Sequence, residues 1–108
     1  MPNNALAGFL GIARGAGRLL YGHDPVISAI VTGRAQLCIC ARDASERLKN
    51  ELRHACSYGD RDIPFFVLDE DMEFFRTFTG KRTGVVTVTD AGMANKILRM
   101  VQTSVDNE

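Results

Sequence analysis

A chain of 108 residues can bury one hydrophobic core and is too short for two, so residues 1–108 are expected to form a single domain. With 45% hydrophobic and 24% charged residues the composition is that of an ordinary soluble globular protein, and no apolar run approaches the roughly 20 residues that cross a bilayer. Thirteen cations balance thirteen acids, and a net charge of zero argues against coating of nucleic acid by bulk electrostatics.

Asn4 can cap a first helix in which Leu6, Phe9, Leu10, Ala13 and Ala16 share one face. Gly8, Gly11 and Gly15 fall on the opposite face, each costing about 0.5 to 1 kcal/mol relative to alanine. Tight packing or tolerated drift explains this stripe more simply than a surface for a partner's backbone. Arg18 to Tyr21 reads as a short strand closed by Gly22. The second helix runs from Pro25 to about Thr32, with Asp24 as N-cap, Pro25 at the first helical position, Val26, Ile27 and Ile30 facing the core, and Gly33 ending it. LCICA, residues 37–41, is expected to be a strand covered on both faces.

Asp43 caps the third helix and Glu46 completes a capping-box pattern. Leu48, Leu52, Ala55 and Cys56 form its buried stripe, while Arg47, Lys49, Glu51, Arg53 and His54 face largely outward; Gly59 suits its C-cap. The polar turn DRD leads to Pro64 and the strand FFVL. A short helix follows, with Glu70, Asp71 and Glu73 in its first turn and Phe74, Phe75 and Phe78 as apolar contacts. TGKRTG then opens into a fourth strand, VVTVT. Asp90 caps a last helix whose Met93, Ala94, Ile97, Leu98 and Val101 make one face, and a polar tail, 102–108, is expected to fray. Strands alternating with helices indicate an α/β fold, a three-layer α/β/α sandwich around a mixed sheet of about four strands.

Chemistry is sparse. GIARGAG holds no GxGxxG and follows no strand, and Gly80-Lys81 is followed by arginine with no glycine five residues earlier, so both nucleotide-loop patterns fail. Cys38, Cys40 and Cys56 are odd in number, lack a CxxC pair and lie in apolar surroundings, so they read as core residues rather than disulfides or, with His54, a metal site. No GxSxG elbow is present, and Asp69, Glu70, Asp71 and Glu73 are explained by a helix N-terminus. No catalytic residue, metal or cofactor is expected. The start MPNNALAGFLGIARG lacks the pattern of a secretory signal, so a cytoplasmic location and no membrane partner are expected.

What remains is YGHDPVISAIV, whose free backbone N–H groups and helix dipole suit an anion and whose Asp24 can accept from base donors; a clean helix entry explains the same residues without a ligand. The cations are unevenly placed, with Arg14, Arg18 and Arg34 early and Arg76, Lys81 and Arg82 late, and ten of the thirteen are arginine, the side chain better suited to phosphate and base edges.

The segments LGIARGAGRLLYG, SAIVTGRAQLCICARDAS, IPFFVL and GVVTVTDAGMANKIL, in this order and spacing, resemble the L7Ae/L30e superfamily of ribosomal and kink-turn RNA-binding proteins, most closely its bacterial YlxQ-like branch, over about residues 5–101. The resemblance implies an RNA surface made from the N-terminus of the second helix and the loop before the last strand, recognising a bent RNA with tandem sheared G·A pairs. Gly22 matches the glycine before the helix, and Asp24 matches the first of two polar residues that accept from guanine edges, with His23 between them in sequence. Pro25 stands at the second and Ser28 where a lysine is usual, so two contacts are missing. The loop maps to Gly80, Lys81, Arg82, Thr83, Gly84 and Val85, in which Lys81 and Arg82 suit phosphate; upstream, Phe74-Phe75 replaces the usual Leu-Gly. Each lost contact is worth ~1 to 3 kcal/mol, enough together to move a nanomolar binder toward micromolar. Arg14 and Arg18 are candidate compensating phosphate contacts. The resemblance thus implies a small ribosomal-type module whose partner is structured RNA, in ribosome assembly or translation. The alternative is a family member without RNA affinity that serves as a protein-interaction domain.

Overall fold

The structure, a computed structural model, describes residues 4–106. In chain order these form α1 (Asn4–Gly15), β1 (Leu19–Tyr21), α2 (His23–Val31), β2 (Leu37–Ala41), α3 (Glu46–Ser57), β3 (Phe65–Leu68), α4 (Met72–Thr79), β4 (Val85–Val88) and α5 (Ala91–Asp106). The four strands make one mixed sheet in the order β1-β4-β2-β3. β4 is antiparallel to both β1 and β2, and β2 is parallel to β3, with Leu19 opposite Val88, Cys38 opposite Thr87 and Cys40 opposite Val67.

Side-chain alternation along the central strands separates two apolar layers. Leu37, Ile39 and Ala41 of β2, with Val86 and Val88 of β4, face one way and pack with Leu6, Leu10 and Ala13 of α1, Phe75 and Phe78 of α4, and Ala94 and Ile97 of α5. Cys38, Cys40 and Val85 face the other way, against Val26, Ala29 and Ile30 of α2 and Leu52 and Cys56 of α3. The α/β/α sandwich expected from the alternation of elements is the fold observed. Thr87 is fully buried in β4, where its hydroxyl donates to the Leu37 carbonyl at 2.8 Å. All three cysteines are buried and free, and burial pushes the Cys40 thiol up to about 12, so it stays protonated at neutral pH.

Several details differ from the sequence expectation. Ser45, not Asp43, caps α3: its Oγ accepts from Leu48 N–H at 3.1 Å, while Asp43 Oδ1 accepts from Met72 N–H at 2.9 Å, at the start of α4. Lys49 is buried rather than outward, because its Nζ donates to the Arg42 carbonyl at 2.7 Å and pairs with Glu46 at 3.1 Å while its stem covers apolar surface. Ala16 lies beyond α1 and is exposed. The last helix continues through Asp106, past the expected start of fraying at 102; residues 107 and 108 of that tail lie outside the described residues. Asp90 caps α5 as expected, accepting from Met93 N–H at 2.8 Å, whereas Asp71, expected within the first turn of α4, is its N-cap and accepts from Phe74 N–H at 2.9 Å. In the glycine stripe, only Gly11 packs within the fold, against Phe78; Gly8 and Gly15 border open space.

Candidate nucleic-acid interface

Strands β1, β2 and β3 all end at one edge of the sheet, where β4 begins. Helices α2, α3 and α4 therefore start at this edge, and residues 80–84 re-enter the sheet there. Gly22 is the hinge of the arrangement. Its N–H donates to the Val85 carbonyl at 3.1 Å, extending the β1–β4 ladder by one bond, and its φ of +93° then turns the chain straight into α2. That conformation is open to glycine and strained for other residues.

The turn moves the helix start two residues upstream of its expected place. His23 is the first helical residue, Asp24 the second and Pro25 the third, and Gly22 is the N-cap without any side-chain cap bond. The first intrahelical bond is Val26 N–H to the Gly22 carbonyl, 3.2 Å, so Pro25 sits where a backbone N–H would lack a helical partner in any case. Asp24 is thus free of capping; its side chain is 95% exposed beside the positive end of the helix dipole. Ser28, one turn further on and also exposed, shares the face of Asp24.

His23 ties the tip to the neighbouring helix. Its Nδ1 lies 2.7 Å from Asp24 Oδ1 and its Nε2 lies 2.8 Å from Glu51 Oε2 of α3. Hydrogen bonds to Asp24 first and Glu51 second hold the ring's pKa above its ordinary value of 6.5, favouring the imidazolium.

The loop before β4 is braced from beneath. Buried Thr79 accepts from Lys81 N–H at 3.2 Å, and its hydroxyl proton is shared between the Lys81 carbonyl at 2.7 Å and the Phe75 carbonyl at 2.9 Å. A Cβ on Gly84 would come within 3.2 Å of Ala44 Cβ and 3.3 Å of Leu48 Cδ2, so the close seat of the loop on α3 needs the missing side chain. Arg82 turns to acids: its Nε is 2.9 Å from Glu73 Oε2 and its Nη2 3.8 Å from Asp43 Oδ2. Lys81 is exposed, with no carboxylate at ion-pair distance among the described residues.

The model of the ribosomal protein L7Ae/L30e/S12e/Gadd45 family matches residues 4–98. The chain belongs to this family. It is 30% identical over 92 residues to the RNA-binding protein YlxQ of Bacillus subtilis (strain 168), covering 85% of this chain and 90% of that protein. The RNA-binding protein YlxQ of Enterococcus faecium is 30% identical over 93 residues, covering 86% and 87%. Among solved structures, a Bacillus halodurans protein of unknown function superposes with a TM-score of 0.80 at 29% identity, over 90% of this chain and 96% of that one. A Giardia lamblia 15.5kD RNA binding protein superposes with a TM-score of 0.73 at 18% identity, over 91% and 85%, which marks the shared fold.

On this L7Ae-type frame, the structure brings Gly22, His23, Asp24 and Val85 together, with Ser28 one turn along the helix. The Val85 side chain is 1% exposed and Thr83 is buried, so both meet the edge through backbone alone. The Arg14 guanidinium lies 5.9 Å from the Tyr21 ring centroid, one residue before the tip. Arg18 is not brought there: it precedes β1, its carbonyl accepts from Thr89 N–H at the opposite end of the sheet, and the three residues of β1 put about 13 Å, four extended steps, between it and Gly22. Glu51, Glu73 and Asp43 were not legible as site residues, because each enters by a contact between elements.

Proposed function

We propose that the protein is a single-domain cytoplasmic module that binds structured RNA of the kink-turn type, in ribosome assembly or translation, through the α2 tip and residues 80–84. The reading rests on one observation above all: the Gly22–Val85 hydrogen bond brings the start of α2 beside the first residue after the loop. It is supported by family membership and by two relatives named as RNA-binding proteins. In this reading Asp24 accepts hydrogen bonds from guanine edges, Lys81 and Arg14 meet phosphate, and the backbone at Gly22 and Gly84 allows close approach. Pro25 and Ser28 withhold two contacts, and Arg82 is already paired with Glu73 and Asp43, which sets the affinity in the micromolar range. No enzymatic role is proposed.

The second reading, a protein-interaction domain without RNA affinity, is favoured by those same three residues. Titrating a kink-turn RNA against the same RNA with its G·A pairs replaced separates the two. The intact RNA is expected to bind more tightly, and Asp24→Ala to reduce that preference more than it reduces overall affinity. Equal, weak, salt-steep binding of both RNAs would refute specific recognition and leave the protein-interaction reading.

A further inference from the structure

Glu51 lies on α3, outside both elements of the proposed RNA surface, yet its carboxylate completes a chain of three side chains ending at the α2 tip: Glu51 Oε2 to His23 Nε2, 2.8 Å, and His23 Nδ1 to Asp24 Oδ1, 2.7 Å. A carboxylate only accepts hydrogen bonds, so the two bonds are made together only when both ring nitrogens donate, that is, by an imidazolium; a neutral ring has one N–H and loses one of the two bonds. We propose that Glu51 is a positioning residue for RNA recognition, holding the Asp24 carboxylate in its accepting orientation through a charged His23 ring. This rests on the kink-turn reading of the tip.

Nothing else among the described residues holds the Asp24 side chain. Its Oδ1 is bound to the ring, and its Oδ2 makes no hydrogen bond or ion pair with another described residue and is left to accept from a base. Without the ring, fixing the aspartate on binding costs rotamer entropy. Charge acts in the same direction. The trio carries −1 with the ring charged and −2 with it neutral, and the extra negative charge opposes an incoming phosphate chain. The charged groups facing the ring are Asp24 from α2 and Glu51 from α3; Arg47 and His54, one turn to either side of Glu51, make no contact with it, nor does any charged group of residues 80–84. Because the ring's pKa is raised, the intact trio is fully present below 6.5 and is lost as pH rises through the raised value.

The test measures binding of the intact and the G·A-replaced kink-turn RNA at about pH 6 and about pH 8.5, which bracket a raised histidine. In parallel, the His23 ring is titrated by NMR in the RNA-free protein. For the wild type, the preference for intact RNA is expected to fall several-fold at the higher pH. Glu51→Gln should lower the His23 midpoint and flatten that pH dependence, and Glu51→Asp should restore part of both. A pH profile or a midpoint that is the same in wild type and Glu51→Gln overturns the proposal while leaving RNA binding standing. A midpoint that moves without any preference for the intact RNA at either pH overturns the reading of the tip itself, and Glu51 is then only a brace between helices.

Discussion

Arg82 stands in the loop that the family resemblance assigns to phosphate, but its guanidinium is ion-paired with Glu73 at 2.9 Å, with Asp43 at 3.8 Å. Exposed pairs of this kind contribute about 0 to 1 kcal/mol to stability, so the pair is cheap to break, and its main effect is to compete with an incoming phosphate. Glu73→Gln is therefore expected to leave the fold intact and to raise affinity for kink-turn RNA by about two- to fivefold, the equivalent of up to 1 kcal/mol. The gain should be the same for the RNA with its G·A pairs replaced, because a phosphate contact carries no sequence information. Unchanged affinity in a filter-binding or fluorescence titration would mean that Arg82 does not reach the RNA. Neither Glu73 nor Glu51 could be assigned this role from sequence. Glu51 is 28 positions from His23, and the sequence marks Glu51 only as outward-facing and Glu73 only as a first-turn acid. Gly22, by contrast, was legible, since a glycine between a strand and a helix start signals a backbone turn whatever its neighbours do.

At the scale of elements, periodicity located every helix and strand among the described residues, and the errors in capping fall at helix starts, where several residues compete for one role. The segment RDASE offers both Asp43 and Ser45 as caps for α3. The structure selects Ser45 because Asp43 has two partners elsewhere, Met72 N–H and Arg82, and both depend on α4 and the loop being folded against α3. At α2 the competition was between Asp24 and a glycine that no side-chain rule favours as strongly, and the sheet bond from Gly22 to Val85 decided it. Ser45→Ala is expected to lower stability by about 1 kcal/mol, the usual cost of losing an N-cap acceptor, measured as a shift of the urea midpoint at unchanged slope. An unchanged midpoint would mean that the Ser45 bond does not hold the start of α3.

For the whole molecule, the sandwich follows from the alternation of elements, whereas the charge map of its edge does not, because it depends on which loops the sheet order brings side by side. Asp24, Asp43, Asp69, Asp71 and Glu73 all belong to the edge where α2, α3 and α4 begin, or to the first turns packed against it, and Glu51 in the second turn of α3 is tied to it through His23. Much of the cationic charge there is internally engaged: Arg42 with Asp69 at 3.6 Å, Lys49 with Glu46 and Arg82 with Glu73. In the proposed reading Lys81 and Arg14 meet the RNA backbone, whereas Arg18 and Arg34 lie at the opposite end of the sheet, next to the end of β4. Counterion release then sets a small salt dependence, because log K falls with log salt at about 0.7 to 0.9 per phosphate neutralised. Two such contacts give a slope of about −1.4 to −1.8 for binding of the intact kink-turn RNA, far from the roughly −4 to −9 of proteins that engage six to ten phosphates. A series of titrations between low and moderate salt measures it directly. A slope steeper than about −5 would place the RNA on a broad basic surface, and the arginines at the far end of the sheet would become the residues to mutate.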